Sequence, residues 1–175
     1  ANNVTVGLPD DDESRHEMVR ERLLAMLSAS MDYSFAQHDD SRDDRLKELA
    51  DVCFDACIIM NETEYLFNKF FEVFQDADHE DIFVTTLEPY VLDADLKFLS
   101  PEIVKSVVAY FISQNEAKRL EELLCRLEPT SFDLEEITMF CRQHNLYDAM
   151  IYVWTRAIRD FVTPLVDLLQ LVKML

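Results

Sequence analysis

One glycine, Gly7, serves a chain of 175 residues. Glycine is the residue that tight hairpin turns and phosphate-cradling loops need, because it takes positive φ without a steric penalty. A chain so starved of it is poorly suited to either. Its frequent leucine, methionine, alanine and glutamate favour helices instead. With 49% hydrophobic residues a real core is expected, and the length suits one compact domain or a stack of several small helical units.

The charge narrows the partners. The 35 acidic residues against 16 basic ones give a formal net charge of -19, which repels nucleic acid and anionic lipid headgroups. Basic partners are favoured, through contacts that salt should weaken. The longest apolar runs fall well short of the about 20 residues that span a bilayer, and no basic segment with an apolar stretch opens the chain. The expectation is a cytoplasmic chain that neither binds nucleic acid nor inserts into a membrane. Cys53 and Cys57 stand four apart on a predicted helix, without a second pair or a histidine at a zinc-ligand spacing. With Cys125 and Cys141 they read as core thiols.

Residues 1–13 read as a flexible lead-in, and 14–175 as a helical-repeat region with a polar loop near 37–44. The first helix would turn Met18, Leu23, Met26 and Leu27 toward a partner face. In the second, Leu46, Leu49, Cys53, Ala56, Cys57 and Met60 recur at three- and four-residue steps, as one buried stripe requires. Asn61 is placed to cap a third, which presents Leu66, Phe67, Phe70, Phe71 and Phe74. The acids of Asp76 to Asp81 start a fourth that Pro89 interrupts. Ser100-Pro101-Glu102 starts a fifth, with Ile103, Val104, Val107, Val108 and Phe111 on one face. After a break at Gln114 and Asn115, Leu120, Leu123, Leu124 and Leu127 mark a sixth. Asp133 and Glu136 form an acidic capping box for a seventh. NLYDAMIYVWTRAIRDFVTPL supplies an eighth, and Thr163-Pro164 opens a ninth.

Eight or nine helices joined by short turns leave a bundle or a solenoid. From Ser100 onward the helices pair with a period of about 30 to 35 residues, the spacing of stacked helical hairpins. The fold expected is all-α, an α-solenoid of stacked antiparallel helical hairpins. In such a stack an inner helix is covered by both neighbours and is apolar almost all round. YDAMIYVW reads as that kind of helix.

ADVCFDACIIM, TLEPYVL and NLYDAMIYVW, with the downstream proline and leucine pair, carry a resemblance. From about Leu46 to the C-terminus the chain resembles the central helical region of the vacuolar protein sorting-associated protein 8 family, subunits of the CORVET endosomal tethering complex. The segment CRQHNLYDAMIYVW is more distantly similar to clathrin-heavy-chain-type repeats. The first forty or so residues carry none of the likeness. The resemblance implies a non-enzymatic scaffold segment acting in endosomal vesicle fusion and vacuolar or lysosomal protein transport, peripheral on endosomes, with other tethering-complex subunits as partners. Full-length members are much longer, with an N-terminal β-propeller and a C-terminal RING-type zinc domain. An endosomal Rab GTPase is implied as a partner only through those other parts.

The residues themselves point to no enzyme, cofactor or metal. Asp76, Asp78 and Glu80 alternate as in a calcium loop, but Asp81 stands where the turn glycine belongs and Leu87 where the bidentate carboxylate belongs. HEMVR begins like a zinc-protease helix, yet Arg20 replaces the second histidine. Two further readings stand beside the scaffold. A recognition module would take a partner helix or peptide in a groove lined by residues such as Phe67, Phe71 or Tyr147. A small-GTPase regulator would use Arg156 and Arg159, although cations near a helix C-terminus also suit the dipole. Trp154 and Tyr152 read as filling the seam between hairpins, while Tyr147, beside the turn, is open to either role.

Overall fold

The computed structural model describes residues 12–37 and 41–174. Residues 1–11 of the expected lead-in, 38–40 of the expected polar loop, and Leu175 lie outside them. All regular structure among the described residues is helical, as expected of an all-α chain. The chain divides into two compact units, Ala1–Thr63 and Glu64–Leu175.

In the first unit α1 (Asp12–Ala36) packs on α2 (Arg42–Ile59) as an antiparallel hairpin. Arg20, early in α1, pairs with Glu62 just past the end of α2 at 2.9 Å. At the other end Arg42 stands over the Phe35 ring at 5.9 Å. The stripe of α2 forms as its periodicity predicts, with Leu46, Ala50, Cys53, Phe54 and Cys57 buried. On α1 the buried residues are Leu27 and Met31, and Met26 is 70% exposed. The expected face was one residue too wide: Met26 sits about 100° round the helix from Leu27, off the narrow stripe that one neighbour can cover. Asp43 and Asp44, placed in the loop by their polarity, form the first turn of α2, where the positive end of the macrodipole suits them.

The second unit holds α3 (Phe71–Asp76), which continues a π-helical turn at Tyr65–Phe70, then α4 (Glu80–Leu92), α5 (Pro101–Ser113) and α6 (Ala117–Leu124). A short 3-10 turn at Pro129–Ser131 leads to α7 (Leu134–Gln143) and α8 (Tyr147–Val153). A second π-helical turn, Trp154–Ile158, and α9 (Thr163–Met174) follow. The pairs α3/α4, α5/α6 and α7/α8 pack as hairpins, and the second helices α4, α6 and α8 also touch in series. A helix held between neighbours must bury more than one stripe. Accordingly α4 buries Ile82, Phe83 and Val84 in succession, with Leu87 and Val91 further on. The Phe83 ring meets Phe71 at 5.0 Å, Phe70 at 6.0 Å and Phe74 at 6.4 Å between centroids. Where α4, α5 and α6 converge on Leu87, Val107 and Leu123, only about 10 Å³ is left unfilled, which is interior packing and not a binding site.

The apolar stretch expected as an inner helix is α8, packed on both α6 and α7. Its Ala149, Met150 and Val153 are fully buried, whereas Ile151, Tyr152 and Trp154 are half-buried. The Tyr152 hydroxyl reaches back to donate to the Leu127 carbonyl at 2.7 Å.

Two of the helix starts form as the sequence predicts. Ser100 Oγ accepts from the Ile103 N–H at 3.4 Å with Pro101 in the first position, and Asp133 Oδ1 accepts from the Glu135 and Glu136 N–H groups, both at 3.1 Å. Two other expectations are corrected. Pro89 lies inside α4, which runs on to Leu92; the missing N–H forfeits one bond near the end of the helix, and the Pro89 carbonyl still accepts from Asp93 N–H at 2.9 Å. Asn61 does not cap the helix that follows. At φ 58 it closes α2, with Glu62 N–H donating to the Cys57 carbonyl at 2.7 Å.

That left-handed closure recurs at Asp78, Ala94, Asn115, Asn145 and Arg159, with φ between 57 and 65. Helices commonly end on glycine there, and the chain has no glycine after Gly7. Asparagine and aspartate tolerate the conformation through local hydrogen bonding, but alanine brings a Cβ with no such compensation. Ala94→Gly should therefore raise stability by about 1 kcal/mol, seen as a higher urea midpoint at unchanged m-value. Ala149→Gly, inside α8, should lower it by about 1 kcal/mol or more.

Candidate functional site

The polar contacts between hairpins centre on α6. Arg119 reaches back to Glu88 of α4, with Nε donating to Oε1 at 3.0 Å, and also pairs with Glu116. Its guanidinium stands over the Phe111 ring of α5 at 5.4 Å. Glu121 reaches forward. Its Oε1 accepts from the Asp148 N–H at 2.8 Å and the Ala149 N–H at 3.4 Å, which caps α8 from another helix. Leu146, the residue at the cap position, has no side-chain acceptor to offer. The connections are fastened too: Glu128 N–H donates to the Lys97 carbonyl at 2.6 Å, and the buried Ser131 hydroxyl accepts from Leu99 N–H at 3.0 Å.

The first helices of successive hairpins leave a groove. Pro101, Val104, Lys105, Val108 and Ala109 of α5 face Ile137 and Phe140 of α7 across a space of about 290 Å³, with Phe132 and Asp133 at one end. Lys105 Nζ spans it to Glu136 Oε2 at 3.1 Å. A second groove of about 380 Å³ lies where α7 and α8 meet α9, bordered by Arg142, Tyr147, Met150, Asp167 and Leu171. Arg142 crosses there to Asp167, with NH2 to Oδ2 at 2.7 Å, and its guanidinium lies 6.0 Å from the Trp154 ring centre.

Of the residues singled out by sequence, Tyr147 lines this second groove, half-buried, with its hydroxyl donating to Asn145 Oδ1 at 2.9 Å. Phe67, Phe71, Arg156 and Arg159 are not among its lining residues. Phe71 is 4% exposed within the ring cluster around Phe83, so it offers a partner almost nothing, and Phe67 is half-buried. Arg156 and Arg159 are exposed, and Arg159 is the left-handed residue that ends the π-helical turn. The groove between α5 and α7 was missed because Val104, Val108 and Ile137 carry the pattern of ordinary core positions. Nothing in the sequence near Glu121 marks it as a cap, since its acceptors' donors lie 27 and 28 residues on.

Among the described residues no three His, Cys, Asp or Glu side chains converge in a way that could hold a metal ion. Cys53, Cys57 and Cys141 are buried and Cys125 is half-buried. Burial first, then nearby thiols or carboxylates, pushes Cys53 and Cys141 up to about 12 and Cys57 and Cys125 to about 11.

A family model described as the Vps8 central TPR matches residues 82–175. Over 173 residues the chain is 25% identical to the vacuolar protein sorting-associated protein 8 homolog of Homo sapiens, covering 95% of this chain and 12% of that protein. That alignment takes in most of the residues ahead of Leu46, where the sequence reading found no likeness. Vacuolar protein sorting-associated protein 8 of Saccharomyces cerevisiae is 29% identical over 101 residues, 58% of this chain and 8% of that protein. The Schizosaccharomyces pombe protein of the same name is 36% identical over 77 residues, 42% and 6%. The chain thus spans only 12% of the length of its human relative. No solved structure matches.

Replacing Glu121 with alanine should cost about 1–2 kcal/mol, since two helix-end amides lose a charged acceptor. Hydrogen exchange should then quicken at the Asp148 and Ala149 amides and not at those of α4. The thiols give a pH dependence. Above the ordinary thiol value of 9.0 the unfolded chain releases protons that the folded chain still holds, so stability should fall as pH rises from about 9 toward 12. Urea unfolding across that range, compared with Cys53→Ala and Cys141→Ala, should show each variant losing part of the slope.

Proposed function

The chain belongs to the Vps8 central TPR family, and on that footing we propose that it is a non-enzymatic scaffold segment of an endosomal membrane-tethering complex of the CORVET type. It acts in endosomal vesicle fusion and in vacuolar or lysosomal protein transport, docking other subunits while it holds more distant binding modules at a set separation. The observation that carries this reading is the continuous contact of α4, α6 and α8, fastened by Arg119 on one side and Glu121 on the other. Stability stored in nearest-neighbour interfaces lets such a stack serve as a mount without a central core.

The relatives are named for vacuolar protein sorting, which supports the transport role. Among the described residues no helix is long and apolar enough to cross a membrane, and in this reading the segment sits peripherally on endosomes through the complex. An endosomal Rab GTPase would be met by other parts of the full-length protein. The charge of -19 favours basic subunits as the docked partners.

Immobilised chain incubated with endosomal extract at low and high salt, and read by mass spectrometry, should retain other tethering-complex subunits at low salt and lose them at high salt. Recovery of none at either concentration overturns the docking role.

A further inference from the structure

We propose that the groove between α5 and α7 is a docking site for a basic amphipathic helix of a partner protein, its apolar side chains seated between the two helices and its lysines or arginines against the acidic rim. The inference deepens the scaffold reading and rests on it for the identity of the partner.

The groove follows from how the hairpins pack. The second helices α4, α6 and α8 close on one another, while the first helices α5 and α7 face each other across a space of about 290 Å³. Its floor is apolar and comes from two hairpins, with Val104 and Val108 on one wall and Ile137 and Phe140 on the other. A volume near the low end of ~300–1,000 Å³ for ligand pockets suits a few anchoring side chains better than an enclosed small molecule. That is how an amphipathic helix is read by a groove, through anchors spaced three and four residues apart.

Charge decides the occupant. Asp133 and Glu136 line the groove, and Glu102 and Glu135 stand exposed on the same two helix starts. Lys105 is the one cation among the lining residues, and it is already paired with Glu136. A second copy of this chain would bring another -19 to the rim, and an anionic lipid surface would be repelled in the same way. A basic helix gains from the rim and from the floor together.

The probe is a synthetic helical peptide with leucines on one face and lysines on the other, titrated into the isotope-labelled full chain. The methyl resonances of Val104, Val108 and Ile137 should shift, and raising the salt should weaken binding. Ala109 is exposed on the groove wall, so Ala109→Trp fills the space without touching the core and should weaken the peptide by about tenfold or more. Leu169→Ser, at an exposed position of α9, should leave affinity unchanged. Thermal melts by circular dichroism verify that both variants fold. No binding, binding without shifts at the groove methyls, or equal losses in the two variants overturns the proposal. If the Ala109→Trp chain still retains tethering-complex subunits in full, the scaffold reading stands and the groove is not where they dock. If the peptide seats in the groove but the parent chain retains no subunit, the groove stands and the scaffold reading falls.

Discussion

Residues 64–175 depend on the two-sided burial of their second helices. A helix resting on a surface needs one stripe, but α6 lies between α4 and α8 and also packs on its own partner α5. It meets that demand with only eight residues. Leu120, Leu123 and Leu124 fill the interior, and Arg119 and Glu121, two positions apart, extend to opposite neighbours. Burial of an apolar side chain contributes roughly 1.5–3 kcal/mol, yet it is non-directional. The two charged residues add direction, because a guanidinium paired with Glu88 and a carboxylate fixed on two helix-end amides hold α6 in register with both neighbours.

The same closure creates the candidate site. Side chains that would seal α5 against α7 are not needed for stability once the second helices have closed, so an apolar floor is left open there with carboxylates around it. Surface of this kind costs little to keep on a chain that is strongly acidic elsewhere, since like charge discourages self-association through it. The fold and the proposed docking site are thus two outcomes of one asymmetry between first and second helices.

Local signals were readable in the sequence and distant ones were not. Ser100 and Asp133 cap helices three residues away or nearer, and their residue types alone announce it. The stripe of α2 and the hairpin period are also local repetitions. By contrast, Pro89 was read by its intrinsic dislike of helices, which the packing of α4 overrides. Asn61 suits either end of a helix, and only its φ of 58 shows that it closes one. Phe67 and Phe71 looked like partner anchors because aromatics suit both cores and interfaces, and for Phe71 the rings packed around it settle the matter. The groove could not be read at all, because it is a gap between two helices, and Val104, Val108 and Ile137 each look like core.

The left-handed closures at Asp78, Ala94, Asn115, Asn145 and Arg159 have a mechanical meaning. Glycine at such corners would act as a swivel, since it visits many backbone states with little preference. Corners built from residues with a Cβ resist reorientation, so bending within this unit has to be shared among the helix faces and cannot collapse at one joint. A load applied to one hairpin is then passed on to the next, which suits a part whose neighbours must keep their spacing while membranes pull on them.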